Sequence, residues 1–419
     1  MAIRDLDLKK AGLIVLFIFV VFLFGYLLYI FFFKSASDES VATQDEGDES
    51  SGEGLVLSDE ELVLTTQDQS TTLGLPPISG IDAGAYISPV ASGGVTHVST
   101  LVDSRTSGFN LAANGLDLLY YNTNDSRFYR VTPDGKISLL VDKRFFDIDS
   151  VSFSTAKDKA IVEYPDGANL FYNFNTAEQI TLPQHWEQFE FSQKTDNIAF
   201  KNIGINPENN LLAVSNADGT GAKLVVELGS NEHKVDINWS PDNRVVATFA
   251  NTLSNASSGE QQEILFLGQN NENFKSILVE GYGFEGQWSQ TGDRMIYSVH
   301  GSDSDFKPEV WVVNAQGNAA GSGRRNLKIE TWAHKCTFGS NTEVFCAVPN
   351  SIETGYGFNP SLNNSVPDSF YKINLNTGAR ELLALPDGNY TAESVSISQD
   401  GQYLYFVDVN TGKLHKIKL

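Results

Sequence analysis

Two cysteines are the residues in this chain best suited to covalent chemistry. Cys336 and Cys346 are the only two in the sequence, and they flank a predicted turn centred at Asn341. Residues that face each other across an antiparallel hairpin have Cα atoms about 4.5 to 5.5 Å apart, a distance that a disulfide can bridge. We therefore predict a structural disulfide between Cys336 and Cys346 rather than two free thiols. A zinc site is disfavoured, because no pair of histidines lies nearby to complete the ligand shell.

The remaining groups that could carry chemistry form no recognisable catalytic motif. The six histidines are scattered along the chain, and there is no HExxH zinc motif, no GxSxG nucleophile elbow and no GxxxxGK[ST] phosphate loop. We therefore predict no catalytic residue, no metal ligand and no cofactor, and we expect a protein that is not an enzyme. A catalytic triad assembled from distant segments stays open as an alternative, because spacing in the sequence does not test it.

An internal repeat organises most of the chain. A short apolar strand, a polar turn and a second strand rich in β-branched and aromatic residues recur seven times, at intervals of about 40 to 60 residues. One blade of a β-propeller takes about 40 to 50 residues. We therefore predict an all-β fold, a seven-bladed β-propeller over residues 80–419, with six or eight blades as alternatives. The longest interval holds a polar insertion, residues 355–367, which is expected to be a surface loop. The copies begin at Leu111, Phe153, Phe191, Trp239, Trp288, Cys336 and Ile397.

The two ends of the repeated region are predicted to meet. The last copy supplies only three strands before the chain ends at Leu419, and a strand at residues 95–102 precedes the first copy. If that strand pairs with residues 414–418, the seventh blade is complete and the ring has no open edge.

Aromatic or apolar residues recur at one position of the repeat. Trp239 and Trp288 occupy equivalent places in adjacent copies, at the ends of predicted inner strands. They could form a binding platform at a channel mouth. Packing between repeats is the favoured interpretation, because Phe153, Phe191 and Ile397 take the same place in other copies.

Three copies carry a turn sequence that resembles a known family. They read WSPDN at 239–243, WSQTGD at 288–293 and ISQDG at 397–401. This is similar to the W-S-P-D-G repeat of the TolB-like propellers, a bacterial branch of the WD-type propeller superfamily, over about residues 111–419. The resemblance implies protein or peptide binding on the propeller faces in an extracytoplasmic setting. Other copies depart from the pattern by lacking the Pro and the Asp-Gly.

The N-terminal segment predicts a membrane anchor. Residues 11–33 form a run of 23 uncharged residues. As a helix with a rise of about 1.5 Å per residue, this run would cross a bilayer core of roughly 30 Å. Three basic residues lie within residues 1–10 and only Lys34 follows the run, so residues 1–10 are predicted to be cytoplasmic and the rest of the chain to lie outside. A cleaved signal peptide is the alternative, because Ser35-Ala36-Ser37 loosely resembles a cleavage site.

The charge is concentrated in a segment after the predicted helix. The chain has 52 acidic and 29 basic residues, a formal net charge of −23. Residues 34–79 contain 11 acidic residues and few apolar ones, and such a segment is predicted to be a disordered tether. A nucleic acid partner is disfavoured, because a polyanion requires a basic surface.

These features favour a binding protein displayed at the cell surface. The expected function is non-catalytic binding of a protein, a peptide or an envelope polymer by a membrane-anchored extracytoplasmic propeller. One alternative is an extracytoplasmic carbohydrate hydrolase or lyase acting at the propeller channel, and another is a scaffold subunit of an envelope complex. Acids converging in one deep pocket would favour hydrolysis, whereas a flat apolar patch would favour a protein partner.

Overall fold

The computed structural model describes residues 22–23, 86–253, 260–270 and 272–419. Phe22 and Leu23 are helical, and the rest of the predicted transmembrane segment 11–33 lies outside the described residues, as do residues 1–10 and the predicted tether 34–79. Among the residues that are described, no helix is both long and apolar enough to cross a membrane.

The described part of the chain after Tyr86 forms seven sheets, each with four antiparallel strands, and one of the seven has a fifth strand in a parallel pairing. This confirms the predicted all-β fold and the count of seven blades. Two short strands, β1 (Val95–Thr96) and β2 (Ser99–Val102), precede the first blade. The strands of blades 1 to 3 are β3 (Thr106–Leu111), β4 (Leu118–Asn122), β5 (Arg127–Val131), β6 (Ile137–Leu139); β7 (Ser150–Phe153), β8 (Lys159–Glu163), β9 (Asn169–Asn173), β10 (Gln179–Leu182); and β11 (Trp186–Phe191), β12 (Asn197–Asn202), β13 (Leu211–Asn216), β14 (Lys223–Glu227).

The later blades have the same plan, with longer strands. Their strands are β15 (Val235–Ile237), β16 (Val245–Leu253), β17 (Gln261–Gly268), β18 (Ile277–Glu280); β19 (Tyr282–Trp288), β20 (Arg294–His300), β21 (Glu309–Asn314), β22 (Arg325–Glu330); β23 (Cys336–Ser340), β24 (Glu343–Pro349), β25 (Asp368–Asn374), β26 (Arg380–Pro386); and β27 (Ala392–Ile397), β28 (Tyr403–Asp408), β29 (Leu414–Lys418). Short 3₁₀ helices span Pro207–Asn209, Gly229–Lys234, Ser302–Ser304, Gly317–Ala319, Ala333–Lys335, Tyr356–Phe358 and Pro360–Asn363.

The first strand of each blade is its innermost strand. First strands of successive blades contact one another, as β3 contacts β7 and β7 contacts β11, and β23 contacts β27 in the same way. The apolar side chains between adjacent sheets form the core, in clusters that each draw on neighbouring blades. The inner strands therefore surround the propeller axis, and their two ends open onto its two faces.

The ring closes as predicted, with one addition. Strand β2 pairs antiparallel with β29, with Ser99 opposite Lys416, and becomes the fourth strand of blade 7. Strand β1 lies instead beside β26 of blade 6, in a parallel pairing. Asp387 contacts the chain at the change of partner, since its carboxylate accepts a hydrogen bond from the Val98 backbone N–H at 3.0 Å and lies 2.7 Å from the His97 ring. The chain that enters the propeller thus adds one strand to blade 6 and one strand to blade 7.

A buried serine explains why the turn after the inner strand recurs. The Ser240 hydroxyl accepts from the backbone N–H of Val245 at 2.9 Å and donates to Asp242 at 2.6 Å. Ser398 makes the same two kinds of bond in blade 7, to Tyr403 and Asp400. The side chains satisfy backbone groups that the tight turn leaves without strand partners, which is why Ser and Asp are favoured there.

The fourth residue of this turn adopts a left-handed conformation in several blades. It is glycine in Gly292 and Gly401, asparagine in Asn243, and lysine in Lys157, where φ is +59°. Glycine and asparagine tolerate this region, whereas a long side chain is strained there. Burial also lowers the pKa of Lys157 to about 8, so two features of this lysine oppose folding.

Replacing Lys157 with asparagine is expected to stabilise the propeller. Asparagine occupies the same turn position in blade 4, and relief of the left-handed strain alone is worth about 1 kcal/mol. Because the folded-state pKa lies below the ordinary value of 10.5, the cost of burying the cation is largest below pH 8 and disappears as the pH rises towards 10.5. Thermal unfolding at pH 7 and pH 10 should therefore show a larger gain at pH 7. The control is Lys136→Asn, at an exposed lysine. An equal gain in thermal stability in that variant would contradict the role of strain and burial at Lys157.

Candidate functional site

The two cysteines lie where the sequence predicted them. Cys336 in β23 and Cys346 in β24 are directly opposite residues of an antiparallel pair, and they form a disulfide. Both are buried in the core cluster between blades 5 and 6. The bond joins the innermost two strands of blade 6, so its place in the fold is structural.

The recurring aromatic and apolar residues lie at the C-terminal ends of the inner strands. Phe153, Phe191, Trp239 and Ile397 are buried between blades. Trp288 is partly exposed; its ring lies 5.4 Å from that of Phe266, and its Nε1 donates to the Asn238 carbonyl at 3.0 Å. The structure therefore places four of the five in the core.

A cavity opens at the opposite ends of the inner strands. Its volume is about 810 Å³, and we call it the mouth cavity. Its walls come from the start of β3, from the segment before β23, from the start of β27 and from the insertion between β24 and β25. The lining residues are Arg105, Thr106, Ser107, Gly108, Phe109, Thr123, Trp332, His334, Lys335, Pro360, Ser361, Asn363, Asn364, Thr391, Ala392, Glu393, Ser394, Val407, Val409 and Gly412.

The insertion at 355–367 is more ordered than a polar surface loop. It forms two 3₁₀ helices, and the backbone N–H of Gly357 donates to the Phe306 carbonyl at 2.9 Å. A Cβ atom at Gly357 would lie 2.5 Å from the His300 Cβ and 2.6 Å from the Phe306 carbonyl oxygen, so glycine is required for this close approach. The insertion is thereby held against blade 5 and forms one wall of the mouth cavity.

Two side chains in the wall of the mouth cavity are buried without hydrogen-bond partners among the described residues. Asn363 is 2% exposed, and neither its Nδ2 nor its Oδ1 is paired. Trp332 is 5% exposed, and its Nε1 is likewise unpaired. A buried polar group without a partner costs about 1 to 3 kcal/mol. Such groups are uncommon in native proteins, and a bound ligand or an ordered water is one way of satisfying them.

A buried ion pair supports this region of the mouth cavity. The Lys335 Nζ lies 2.7 Å from the Asp368 Oδ1, and both side chains are almost completely buried. The Asp368 Oδ2 also accepts from the Ala392 backbone N–H at 2.6 Å. Burial raises the pKa of Asp368, and the Lys335 ammonium opposes that shift. These contacts join the segment before β23 to β25 and to the start of β27.

A second cavity lies among the inner strands of blades 3, 4 and 5. Its volume is about 530 Å³, and it is lined by three carboxylic acids, Glu190, Asp236 and Glu285, with no Lys, Arg or His among its described lining residues. We call it the acidic cavity. Burial raises the pKa of Glu190 to about 8, opposed by a hydrogen bond from the Trp239 backbone N–H. Burial also raises the pKa of Asp236; Lys201 opposes this shift and Glu285 adds to it.

The two cavities adjoin through one side-chain contact. His334 lines the mouth cavity, Glu285 lines the acidic cavity, and the His334 Nδ1 lies 3.0 Å from the Glu285 carboxylate. Both side chains are partly exposed. A ligand long enough to reach past this pair would contact both cavities.

Replacing Glu190 with glutamine is expected to change how stability depends on pH. The folded-state pKa of about 8 lies above the ordinary value of 4.5, so the carboxyl favours folding below about pH 4.5 and this contribution is lost as the pH rises through 8. Glutamine keeps an acceptor for the Trp239 N–H but does not ionise. Urea unfolding at pH 5 and pH 8 should show the variant more stable than the parent at pH 8 and similar to it at pH 5.

The control for this prediction is the exposed neighbour Glu187. Glu187→Gln removes the same charge from β11 without removing a buried carboxyl. If both variants show the same pH profile as the parent protein, the carboxyl of Glu190 does not titrate as described.

Sequence reasoning missed the convergence of Glu190, Asp236 and Glu285, and it missed Asn363. It also missed one motif, since Gly281, Gly283 and Gly286 have the spacing G-x-G-x-x-G. That run lies in or beside strand β19 and no helix follows it, so it lacks the strand–turn–helix context of a dinucleotide-binding loop.

Within the described ranges, no three His, Cys, Asp or Glu side chains are grouped so that they could hold a metal ion.

Comparisons with known proteins give the fold but not a family. No protein-family model matches the chain, and no curated protein matches its sequence. A solved oligogalacturonate lyase in complex with manganese is similar at a TM-score of 0.51 and 12% identity, over 77% of this chain and 93% of that one. The β-propeller domain of Cps50 (Swd1) from Myceliophteria thermophila is similar at a TM-score of 0.51 and 8% identity, over 77% and 99%. At these identities the likeness concerns fold alone, and the chain is a β-propeller.

Proposed function

We propose that this chain is a membrane-anchored extracytoplasmic propeller that binds a protein, a peptide or an envelope polymer without transforming it. The binding site in this proposal is the mouth cavity. The observation that carries it is the pair of buried, unpartnered polar side chains, Asn363 and Trp332, in the wall of an open cavity. Their free donors and acceptor are the groups that a polar ligand would satisfy.

The size and setting of the mouth cavity support this function. Its volume of about 810 Å³ lies within the range of about 300 to 1,000 Å³ that ligand sites occupy. Its walls come from three blades and an insertion, so the closed ring holds them in place. The resemblance of the turn repeats to TolB-like propellers favours the same class of function.

The binding test uses the full-length chain in detergent or in nanodiscs. Fluorescently labelled peptidoglycan fragments and a random peptide library serve as probes, and binding of at least one probe is expected. Asn363→Leu should weaken that binding, because leucine fills the site without an amide. If no probe of either class binds the parent protein, the proposed function fails.

The proposed location rests on the sequence of the N-terminal segment and on the disulfide. Residues 11–33 have the length and composition of a membrane-crossing helix, and a disulfide such as Cys336–Cys346 persists in an oxidising compartment. Protease added to intact cells should release the propeller, and mass spectrometry without reduction should find Cys336 and Cys346 linked. A protected propeller, or two thiols open to alkylation, would contradict the extracytoplasmic location.

The acidic cavity favours a second candidate function, hydrolysis of a carbohydrate. Glu190, Asp236 and Glu285 line one pocket, and a carboxyl with a pKa of about 8 is protonated at neutral pH, as a general acid must be. If this function holds, Glu190→Gln abolishes the release of reducing ends from a polysaccharide substrate, whereas Asn363→Leu only weakens binding. Release that persists in Glu190→Gln would exclude Glu190 as the acid.

A further inference from the structure

We infer that the ligand of the mouth cavity is an extended polypeptide segment whose backbone pairs with Asn363 and whose basic side chain enters the acidic cavity. This inference rests on the proposed binding function and adds the chemical class of the ligand. It draws on three features of the mouth cavity and of the acidic cavity that adjoins it. These are the unpartnered amide, the exposed apolar side chains of the insertion, and the acidic cavity.

The amide of Asn363 matches a peptide group. A carboxamide offers donor hydrogens and an acceptor oxygen side by side, and a peptide unit presents one N–H and one C=O. Both halves of the Asn363 amide are unpaired among the described residues. The Trp332 indole supplies a further donor for a carbonyl. A backbone segment passing this wall would therefore satisfy three polar atoms.

The Trp332 side chain is suited to donating a hydrogen bond rather than to stacking on a ligand. It is only 5% exposed, and its Nε1 has no described partner. The partly exposed aromatic ring in this wall is that of Phe109.

The insertion presents apolar side chains beside the mouth cavity. Phe358 is 63% exposed and Leu362 is 53% exposed, in the same loop as Asn363. Phe358 is held in place by the His300 ring at 4.5 Å and the Phe306 ring at 5.3 Å. Exposed apolar side chains on an ordered loop are suited to cover the apolar side chains of a peptide.

The charges around the mouth select a basic side chain. In the mouth cavity, Lys335 is neutralised by Asp368 and His334 contacts Glu285. Exposed Arg105 and Glu393 line the same cavity with opposite charges. The acidic cavity holds three acids and no described basic residue, and the nearby Lys201 directs its ammonium to the Glu232 carbonyl at 2.9 Å.

The acidic cavity therefore favours a ligand with a cationic side chain. Burial of a carboxyl group without an adjacent cation is costly. Glu190 is in that position, since burial raises its pKa and only a backbone N–H opposes the shift, whereas Lys201 opposes the shift at Asp236. A lysine or arginine side chain reaching past the His334–Glu285 contact would supply the missing charge. The expected ligand is thus an extended segment with apolar residues flanking a Lys or Arg.

The test pans a phage library of random dodecapeptides against the full-length protein in nanodiscs. We expect enriched peptides that contain Lys or Arg near apolar residues. Asn363→Leu should weaken their binding about tenfold, which corresponds to the loss of one or two hydrogen bonds. Asp236→Asn should weaken binding of the same peptides several-fold, and should have no effect when their basic residue is replaced by norleucine.

A control variant tests whether the loss of binding is specific to the mouth cavity. Asn175→Leu changes an exposed asparagine in the turn between β9 and β10 and should leave binding unchanged. Asn363→Leu is expected to fold, because the amide it removes has no described partner, and Asp236→Asn tests the inference independently of it.

Two results would overturn the inference without excluding a binding function. One is peptide binding that neither Asn363→Leu nor Asp236→Asn changes, which would also place the binding site outside the mouth cavity. The other is binding of peptidoglycan fragments, weakened by Asn363→Leu, with no enriched peptide. The absence of binding by both kinds of probe would instead overturn the proposed function itself.

Discussion

Replacing Lys335 with methionine is expected to destabilise the propeller by about 3 to 5 kcal/mol, the usual cost of leaving one member of a buried ion pair without its partner. Asp368 is completely buried and would lose its contact with the Lys335 ammonium at 2.7 Å. Its other oxygen would still accept from the Ala392 N–H. A single hydrogen bond does not offset the cost of a buried charge.

The loss of stability should also depend on pH. Lys335 opposes the burial that raises the pKa of Asp368, so the variant should have a still higher folded-state pKa at this carboxyl. A raised pKa contributes stability below the ordinary value of 3.8 and loses it as the pH increases. Urea unfolding should therefore show a larger deficit at pH 8 than at pH 5.

Two further variants make this prediction specific. Lys372→Met removes one member of a surface pair, since Lys372 and Glu343 are 2.8 Å apart and partly exposed, and should cost at most about 1 kcal/mol. Adding Asp368→Asn to Lys335→Met should restore part of the stability, because asparagine carries no charge and can still accept from Ala392. Equal losses in Lys335→Met and Lys372→Met would contradict the role of burial.

Replacing Trp239 with alanine is expected to cost about 3 to 5 kcal/mol and to leave ligand binding at the mouth unchanged. Trp239 is 1% exposed and lies in a core cluster with Leu212, Val235 and Val246 from blades 3 and 4. It follows the C-terminal end of its inner strand, away from the mouth cavity. Thermal unfolding and peptide binding, measured on the same preparations, test both halves of the prediction.

The two tryptophans of the repeat should respond differently to phenylalanine. Trp239 Nε1 has no partner among the described residues, so Trp239→Phe loses volume but no hydrogen bond. Trp288 Nε1 donates to the Asn238 carbonyl, so Trp288→Phe loses that bond at a site that is already partly exposed. If Trp239→Ala abolished binding while stability stayed the same, the residue would belong to a binding platform rather than to the core.

Features that depend on neighbouring residues were predictable from the sequence. The turn of Ser240, Asp242 and Asn243 is closed by hydrogen bonds from its own side chains. Its residue types therefore identify the turn in one copy of the repeat and allow the copies to be counted. The pairing of Cys336 with Cys346 follows from the position of a single hairpin turn. These short-range relations sufficed for the number of blades and the disulfide. Closure by the N-terminal strand was predicted because the last copy lacks a fourth strand.

Contacts between residues that are far apart in the sequence could not be predicted in this way. Asp387 contacts the entering chain where it passes from blade 6 to blade 7, and this contact joins residues almost 300 positions apart. A single strand over residues 95–102 was therefore predicted where the structure has two strands with different partners. The insertion at 355–367 was read as a polar loop, and its burial of Asn363 depends on contacts with blade 5.

By itself, the sequence determined the repeated strand and turn chemistry, and with it a closed ring of seven sheets. Only the tertiary structure decided which side chains share a cavity. Glu190, Asp236 and Glu285 belong to three successive inner strands, and nothing in their local sequences marks them as neighbours. They converge because closure brings the first strand of every blade to the axis. The contacts of the insertion with blade 5 leave the Asn363 amide buried at the cavity wall without a described partner.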